Sequence, residues 1–431
     1  MKLGGRISAA IEVLADIESR RRPATDALKD WGLSHRFAGS GDRAAIGNLV
    51  FDCLRWRASS AWRMDSDAPR ALVLATLAYR WSMPIADMTA GFGVEPHAPE
   101  ALTQTECGFL DEDRLIEAPG WVVADIPEWT SVFFEENFDD DYVLEGEALA
   151  MRPPVDLRVN TLKADREKVL KALSGFSARP TETAPHGVRI KPPVGFKRAA
   201  NVQIEAGYQK GWFEIQDEAS QIAAILVGAR PGEQILDYCA GGGGKSLAMA
   251  MAMENRGQIH AYDRDKARLA PIYDRLKRAG TRNVKVMDPG PGLPDDMKGR
   301  MDRVVIDAPC TGSGVWRRRP DAKWRLTENA LEERMKQQAE ILDAASEFVR
   351  PGGYVCYITC SLFMAENEAQ ISAFLERTPG FELLSAGEVW QDLIGFDKRQ
   401  PWSSDMCSIT MTPAATNTDG FFFSVMEKTK A

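Results

Sequence analysis

Apolar positions divide the chain into stretches of different period. In residues 1–100, Ile7, Ala10, Ile11, Leu14 and Ile17 recur every three or four positions, and so do Ile46, Val50, Cys53 and Leu54. That spacing puts side chains on one face of an α-helix, so the first hundred residues are predicted helical. Asp42 stands just ahead of the second run, where it is predicted to cap it. Strand-like alternation is absent there. Pro99 to Asp141 mixes Gly, Pro and acids with a few aromatics and reads as a partly helical bridge. From residue 154 the period shortens. Val155-Asp-Leu-Arg-Val159 alternates as a strand does, Asn160 to Asp165 can cap a helix running Arg166 to Leu173, and Val188-Arg-Ile190 reads as another strand.

Beyond residue 205 short apolar runs alternate with helical stretches. Strands are predicted at Ile235–Asp237, Gln258–Tyr262, Val284–Met287, Arg303–Ile306 and Gly353–Ile358. Helices are predicted at Lys245–Met253, Lys266–Ala279, Thr327–Val349 and Ala365–Arg377. Such βαβ repetition implies an α/β fold with a parallel, doubly wound, Rossmann-like sheet. Three domains are expected: a helical one with its bridge at 1–141, a small α+β one at 150–204, and the α/β one at 205–431.

The composition suits a globular protein, with 44% apolar and 27% charged residues and a net charge of −9. The acidic balance argues at first against a nucleic-acid partner. Divided by block it does not. Residues 101–150 hold fourteen acids and one Arg, whereas residues 151–200 hold eleven bases and four acids. The longest apolar run, Ala71 to Tyr79, is far short of the ~18 residues a membrane span needs. The first ten residues carry no secretory signal, and seven scattered cysteines make no disulfide framework. The expectation is a cytoplasmic chain with reduced thiols. Four distant histidines and no paired ligand spacing argue against a metal site.

Candidate chemistry begins at Asp237-Tyr-Cys-Ala-Gly-Gly-Gly-Gly-Lys-Ser246, where the first α/β strand ends. Glycines there let the backbone approach a ligand at a helix N-terminus. Gly244, Lys245 and Ser246 fit the end of a phosphate-binding P-loop, but the first glycine of that motif would fall on Cys239. A nucleoside-binding loop instead asks for an acid about 20 residues on, at the next strand's end. Asp263 stands 22 residues beyond Gly241. The nucleoside reading is favoured, although Asp263 can also be read as a surface turn residue.

Two cysteines follow strands. Ile306-Asp-Ala-Pro-Cys-Thr-Gly-Ser-Gly314 puts Asp307 and Cys310 at the carboxyl end of one strand, and Tyr357-Ile-Thr-Cys-Ser361 puts Cys360 at the end of the next. Ligands bind at that rim in doubly wound folds, so Cys310 and Cys360 form a candidate nucleophilic pair. The bland alternative, inert buried cysteine, is adopted for Cys53, Cys107, Cys356 and Cys407.

These segments, with AYDRD, WRRRPDAKWR, ENEAQI and NTDGFFFSV, resemble the RsmB/Sun family of RNA 5-methylcytosine methyltransferases across the whole catalytic half. Arg158-Val-Asn-Thr-Leu within 154–220 resembles that family's small preceding domain. Residues 5–60, with Asp42-Arg-Ala-Ala and Leu54-Arg, resemble the NusB-like RNA-binding domain of some members. The resemblance implies that S-adenosyl-L-methionine lies on Cys239, Ala240, Gly241, Gly242, Gly243, Gly244 and Lys245, with Asp263 on the ribose and Asp288 near the adenine. It implies Cys360 as nucleophile, Cys310 assisting product release, and Asp307 on the cytosine ring near its exocyclic amine, helped by Lys245. Asp307 also borders the cofactor. The family usually has Ala-Pro-Gly-Gly where this chain has Gly241 to Gly244, a departure that costs loop rigidity.

The expected partner is RNA, ribosomal in preference to transfer RNA, engaged by a monomer. Arg317, Arg318, Arg319, Lys323 and Arg325, interleaved with Trp324, form a candidate RNA-binding patch, and Lys191, Lys197, Arg198 and Lys210 can extend it. The alternative for this run is a solvated charged face. Two other functions remain open at this stage: a catalytically retired RNA-binding or assembly protein, and a methyltransferase for a protein or small molecule, which needs no cysteine pair.

Overall fold

The helical period of the first hundred residues becomes a helical unit. The computed structural model describes every residue except Asp113, Pro291, Phe396, Arg399, Trp402 and Ala431. It divides into two units. The first gathers Met1–Pro153 with two later segments, Pro192–Ala199 and Trp316–Leu326. Helices Leu3–Arg20 and Ser40–Arg55 turn the predicted apolar faces inward, burying Ile7, Ala10, Leu14, Ile17, Ile46, Val50, Cys53 and Leu54 in one core. Asp42 is the third residue of its helix and not its cap. Its carboxylate reaches back to the Gly39 N–H and also takes the Arg6 guanidinium and the chain's amino terminus. The apolar run Ala71–Tyr79 is core: a helix from Pro69 to Ala75 continues through a wider turn, Thr76–Arg80. Among the described residues no helix is long and apolar enough to cross a membrane. The bridge contains helices Gln104–Asp111 and Ser131–Phe138, followed by Tyr142–Ala150.

The segment Trp316–Leu326 overturns part of the expected RNA patch. Lys323 is buried, and its ammonium donates to the carbonyls of Arg55, at 2.8 Å, and Asp125. Trp324 Nε1 donates to Leu54 O at 2.6 Å, and Arg55 donates to Arg317 O at 2.9 and 3.1 Å. Trp316 is buried and stacks on Phe134, and Arg317 is buried too. The last carbonyls of helix Ser40–Arg55 have no partner along their own helix, so an ammonium and an indole N–H inserted there satisfy them. Lys323 and Arg317 thus serve folding and present no exposed charge. Arg319 and Arg325 are exposed and Arg318 is half-buried; Arg325 pairs with Asp321 at 2.8 Å.

The second unit contains the remaining residues, Pro154–Lys191, Ala200–Val315 and Thr327–Ala431. Strands β1 (Val155–Val159), β2 (Arg179–Pro180), β3 (Gly187–Ile190) and β4 (Phe213–Ile215) make a small antiparallel sheet in the order β2-β3-β1-β4. Asp165 caps helix Arg166–Ala172 by accepting the Lys168 N–H. The larger sheet holds β5 (Gln234–Asp237), β6 (Gln258–Ala261), β7 (Val284–Val286), β8 (Met301–Asp307), β9 (Val349–Thr359), β10 (Phe381–Leu384), β11 (Ile409–Met411) and β12 (Phe421–Lys428). Its order is β10-β12-β9-β8-β5-β6-β7, with β11 paired to β12.

The sheet is mixed. β5 to β9 are parallel, but β12 runs antiparallel between β9 and β10. Phe421-Phe-Phe423 carries no alternation because a strand buried on both faces is apolar throughout. The predicted helix Lys266–Ala279 is two, Lys266–Leu269 and Ile272–Ala279, interrupted at Pro271. The predicted helix Thr327–Val349 stops at Ser346, and Val349 opens β9.

Candidate active site

β5, β6, β8 and β9 all point their carboxyl ends the same way. Chain order reverses between β5 and β8, which opens a crevice at that rim. The glycine loop lies there, between β5 and helix Gly244–Ala252. Gly243 has φ +77°, and a Cβ on it would stand 2.4 Å from Ile272 Cγ1. At Gly241, φ +49°, a Cβ would make only ordinary contacts, with Arg268 Nη2 at 3.7 Å and Asp263 Oδ2 at 3.9 Å. The loop is held from below. The Gly241 N–H donates to Asp263 Oδ2 at 3.0 Å, Arg275 donates to Gly242 O at 2.6 Å, and Arg158 donates to Gly244 O at 2.8 Å. Arg158 is buried, which pulls its guanidinium down to about 10. Arg275 is in turn fixed by Glu214. Two arginines from outside the glycine motif thus set its shape.

Acids line the crevice. Asp263 is buried beyond the end of β6, and its second oxygen takes the Asp265 N–H. Asp237 accepts the Ser246 hydroxyl on Oδ2, while its buried Oδ1 has no hydrogen-bond partner among the described residues. Burial is the largest influence on Asp237 and, helped by Asp307, pushes its carboxyl up to about 7. The Cys239 thiol is pushed far up by burial and by Asp263, Asp307 and Asp237. Asp288 is exposed two residues past β7 and accepts the Gly290 N–H. Three carboxyls at the strand ends repel a polyphosphate and suit a ligand carrying hydroxyls and positive charge, with the helix N-terminus left for a carboxylate.

On the other side of the crevice Lys245, buried, pairs with Asp307 at 2.7 Å. Three residues after Asp307, Cys310 Sγ lies 3.4 Å from Cys360 Sγ. The parallel register explains the meeting: Asp307 stands opposite Ile358, so the loops leaving β8 and β9 run side by side. The Cys310 thiol is raised well above its ordinary range, first by its hydrogen bond to Cys360, then by burial and by the charge of Glu366. Burial and the neighbouring charges thus favour the neutral thiol at Cys310, and either sulfur can be the donor in the contact. Gly314 and Gly420 close the site. Gly420 N–H donates to Gly314 O, Gly314 N–H donates to Cys360 O, and a Cβ on Gly314 would sit 2.3 Å from Gly420 O.

Lys245, Asp307, Cys310, Cys360, the glycine loop and Asp263 thus share one strand edge. Of the basic residues, Arg317 to Arg325, Lys197 and Arg198 belong to the first unit, and Lys191 and Lys210 to the second. Sequence reasoning passed over Arg158, Arg275 and Glu366, although two of them lie inside motifs already noted, Arg158-Val-Asn-Thr-Leu and Glu366-Asn-Glu-Ala-Gln-Ile. Among the described residues no group of three or more His, Cys, Asp or Glu side chains is arranged to hold a metal.

Residues 224–427 match the family model described as 16S rRNA methyltransferase RsmB/F, and residues 126–197 match the RsmF/B-like ferredoxin-like domain. That second match starts inside the bridge, earlier than the boundary at 150 read from the sequence. The chain is 34% identical over 324 residues to ribosomal RNA small subunit methyltransferase B of Salmonella arizonae, covering 74% of this chain and 68% of the relative. It is 33% identical over 306 residues to the protein of that name from Citrobacter koseri, covering 70% and 66%. The aligned stretch thus spans about two thirds of these relatives. The solved structure of PH0851 superposes over 99% of each chain with a TM-score of 0.73 at 25% identity.

Proposed function

The chain belongs to the RsmB/F methyltransferase family, and from that premise we propose that it methylates carbon 5 of a cytosine in small-subunit ribosomal RNA. The observation that carries the reading is the contact between Cys310 and Cys360 beside the Lys245–Asp307 pair. The glycine loop from Cys239 to Lys245 is proposed to hold S-adenosyl-L-methionine, with Asp263 on its ribose hydroxyls and Asp288 by its adenine. The acids at the strand ends suit its positive charges. The cofactor supplies an electrophilic methyl group on a sulfonium.

The cytosine must be unstacked to enter such a crevice. Carbon 5 of cytosine is a poor nucleophile. Cys360, as thiolate, adds to carbon 6, and the ring's electron pair makes carbon 5 enamine-like and able to accept a methyl group. Asp307, held by Lys245, contacts the ring near its exocyclic amine and steadies the charge that addition creates. Once methylated, carbon 5 gives its proton to solvent water, the electron pair of that bond restores the ring double bond, and the Cys360 sulfur leaves as a thiolate. Cys310 keeps its proton and donates it in a hydrogen bond to that sulfur, so the departing thiolate is stabilised.

The experiment is a pair of substitutions. Cys360→Ala is expected to reduce methyl transfer to background. Cys310→Ala is expected to accumulate a covalent protein–RNA adduct, visible as a slow, nuclease-sensitive gel band. Full activity in Cys360→Ala would overturn the mechanism. Bisulfite sequencing of ribosomal and transfer RNA from a deletion strain identifies the target; loss of a methylcytosine from transfer RNA alone would overturn the ribosomal assignment.

A further inference from the structure

Glu366 is completely buried, and four donors converge on its two carboxylate oxygens. The Thr311 N–H and the Gln338 side-chain N–H, both at 2.9 Å, bind Oε1. The hydroxyls of Thr311 and Ser361, both at 2.5 Å, bind Oε2. Thr311 directly follows Cys310, and Ser361 directly follows Cys360. The Gln338 N–H also donates to Pro309 O at 3.0 Å, so the peptide before Cys310 is tied to the same point. Ser361 Oγ in turn accepts the Phe363 N–H, and its neighbour Ser313 Oγ accepts the Leu362 N–H. Burial pushes the Glu366 carboxyl above its ordinary range, and the hydrogen bonds from Ser361, Thr311 and Gln338 pull the other way.

The two cysteine loops leave different strands and meet at the sulfur contact, at Gly314 N–H to Cys360 O, at Leu362 N–H to Ser313 Oγ, and where Ser361 Oγ lies 3.1 Å from Ser313 Oγ and 3.5 Å from Thr311 Oγ1. The Glu366 carboxylate adds a shared anchor, because it takes bonds from the residue after each cysteine. We propose that Glu366 is a positioning residue for the cysteine pair: through Thr311, Ser361 and Gln338 it sets the distance and angle between Cys310 and Cys360. It touches neither sulfur, so its effect is on geometry. The proposal rests on the reading of the pair as nucleophile and release group. Misplacing reacting groups by about 1 Å can cost on the order of a hundredfold in rate.

The test is made on the full chain with Glu366→Gln, Glu366→Asp and the milder Thr311→Val, each checked for cooperative unfolding. Two quantities are read. One is kcat and KM for S-adenosyl-L-methionine and RNA. The other is bridging of Cys310 to Cys360 by dibromobimane, which alkylates two neighbouring thiols with loss of two bromides, located by peptide mapping. The wild type is expected to bridge. In Glu366→Gln, kcat is expected to fall about a hundredfold with both KM values within about twofold, and bridging to be lost. Thr311→Val, which removes a single hydroxyl bond, is expected to fall between, and Glu366→Asp to recover part of the loss. Wild-type bridging in a folded Glu366→Gln would overturn the proposal, and so would a fall in kcat without any change in bridging. If Glu366→Gln does not fold, unchanged bridging in Thr311→Val overturns it. If the wild type bridges in a Glu366-dependent way yet methylates no RNA, the functional reading fails and the positioning role stands.

Discussion

Lys323 shows how a residue's neighbours decide its role. As a Lys beside Trp in a run of arginines it reads as an RNA contact, yet its ammonium lies among buried carbonyls. Burial pushes it down to about 8 from 10.5, with Asp125 opposing. Below pH 8 the lysine is charged in both the folded and unfolded states. Between pH 8 and 10.5 the unfolded chain holds the proton more firmly, so stability should rise across that window, by up to about 3 kcal/mol. Denaturant titrations of the wild type and Lys323→Met as a function of pH check this; the rise should be absent from the variant. A wild-type profile that falls from pH 8 to 10 would contradict the buried placement. The cysteines were legible for the opposite reason, since each follows a strand with a distinctive local motif. Glu366 was not: its partners at 311, 338 and 361 are brought together by packing alone.

Among the elements, the glycine loop carries the sharpest contrast. Gly243 has a left-handed conformation and stands against Ile272, whereas a Cβ on Gly242 would stand 3.1 Å from Arg275 Nη1, the atom that donates to Gly242 O. Gly243→Ala should cost at least about 1–2 kcal/mol from conformation alone and weaken S-adenosyl-L-methionine binding. Gly242→Ala should cost less, about 1 kcal/mol, since its backbone is not left-handed and the Arg275 guanidinium need give only a few tenths of an ångström against its bonds to Glu214 and Gly242 O. Chemical denaturation and calorimetric titration with the cofactor separate the two; equal losses would mean the loop adopts another shape. The parallel strands β5 to β9 were readable because each is a short apolar run set off by turns and helices. β2, β4, β10 and β11 escaped notice, lying outside the regular strand–helix alternation, and β12 escaped because burial on both faces erases alternation.

Across the molecule, the net charge of −9 is concentrated in residues 101–150. Ten of those acids are exposed among the described residues, while Asp125 and Glu145 are buried. Where RNA binds, exposed bases should govern the salt dependence. Arg319→Ala should lower the slope of log affinity against log salt by about 1, and Lys323→Met should leave it unchanged. Filter-binding isotherms over a salt series measure this, and an equal change in both variants would restore Lys323 to the RNA surface. The chain by itself determined its class, the helical front, the α/β back and the candidate residues for the chemistry. Those signals are local: period, turn residues and motifs of a few neighbouring positions. Only the tertiary structure decided that Cys310 meets Cys360 and that β12 enters antiparallel beside β9. It also decided that a conspicuous basic run spends Arg317 and Lys323 on the interior. Those outcomes depend on strand order and burial, which arise between residues far apart in sequence and leave no periodic trace along it.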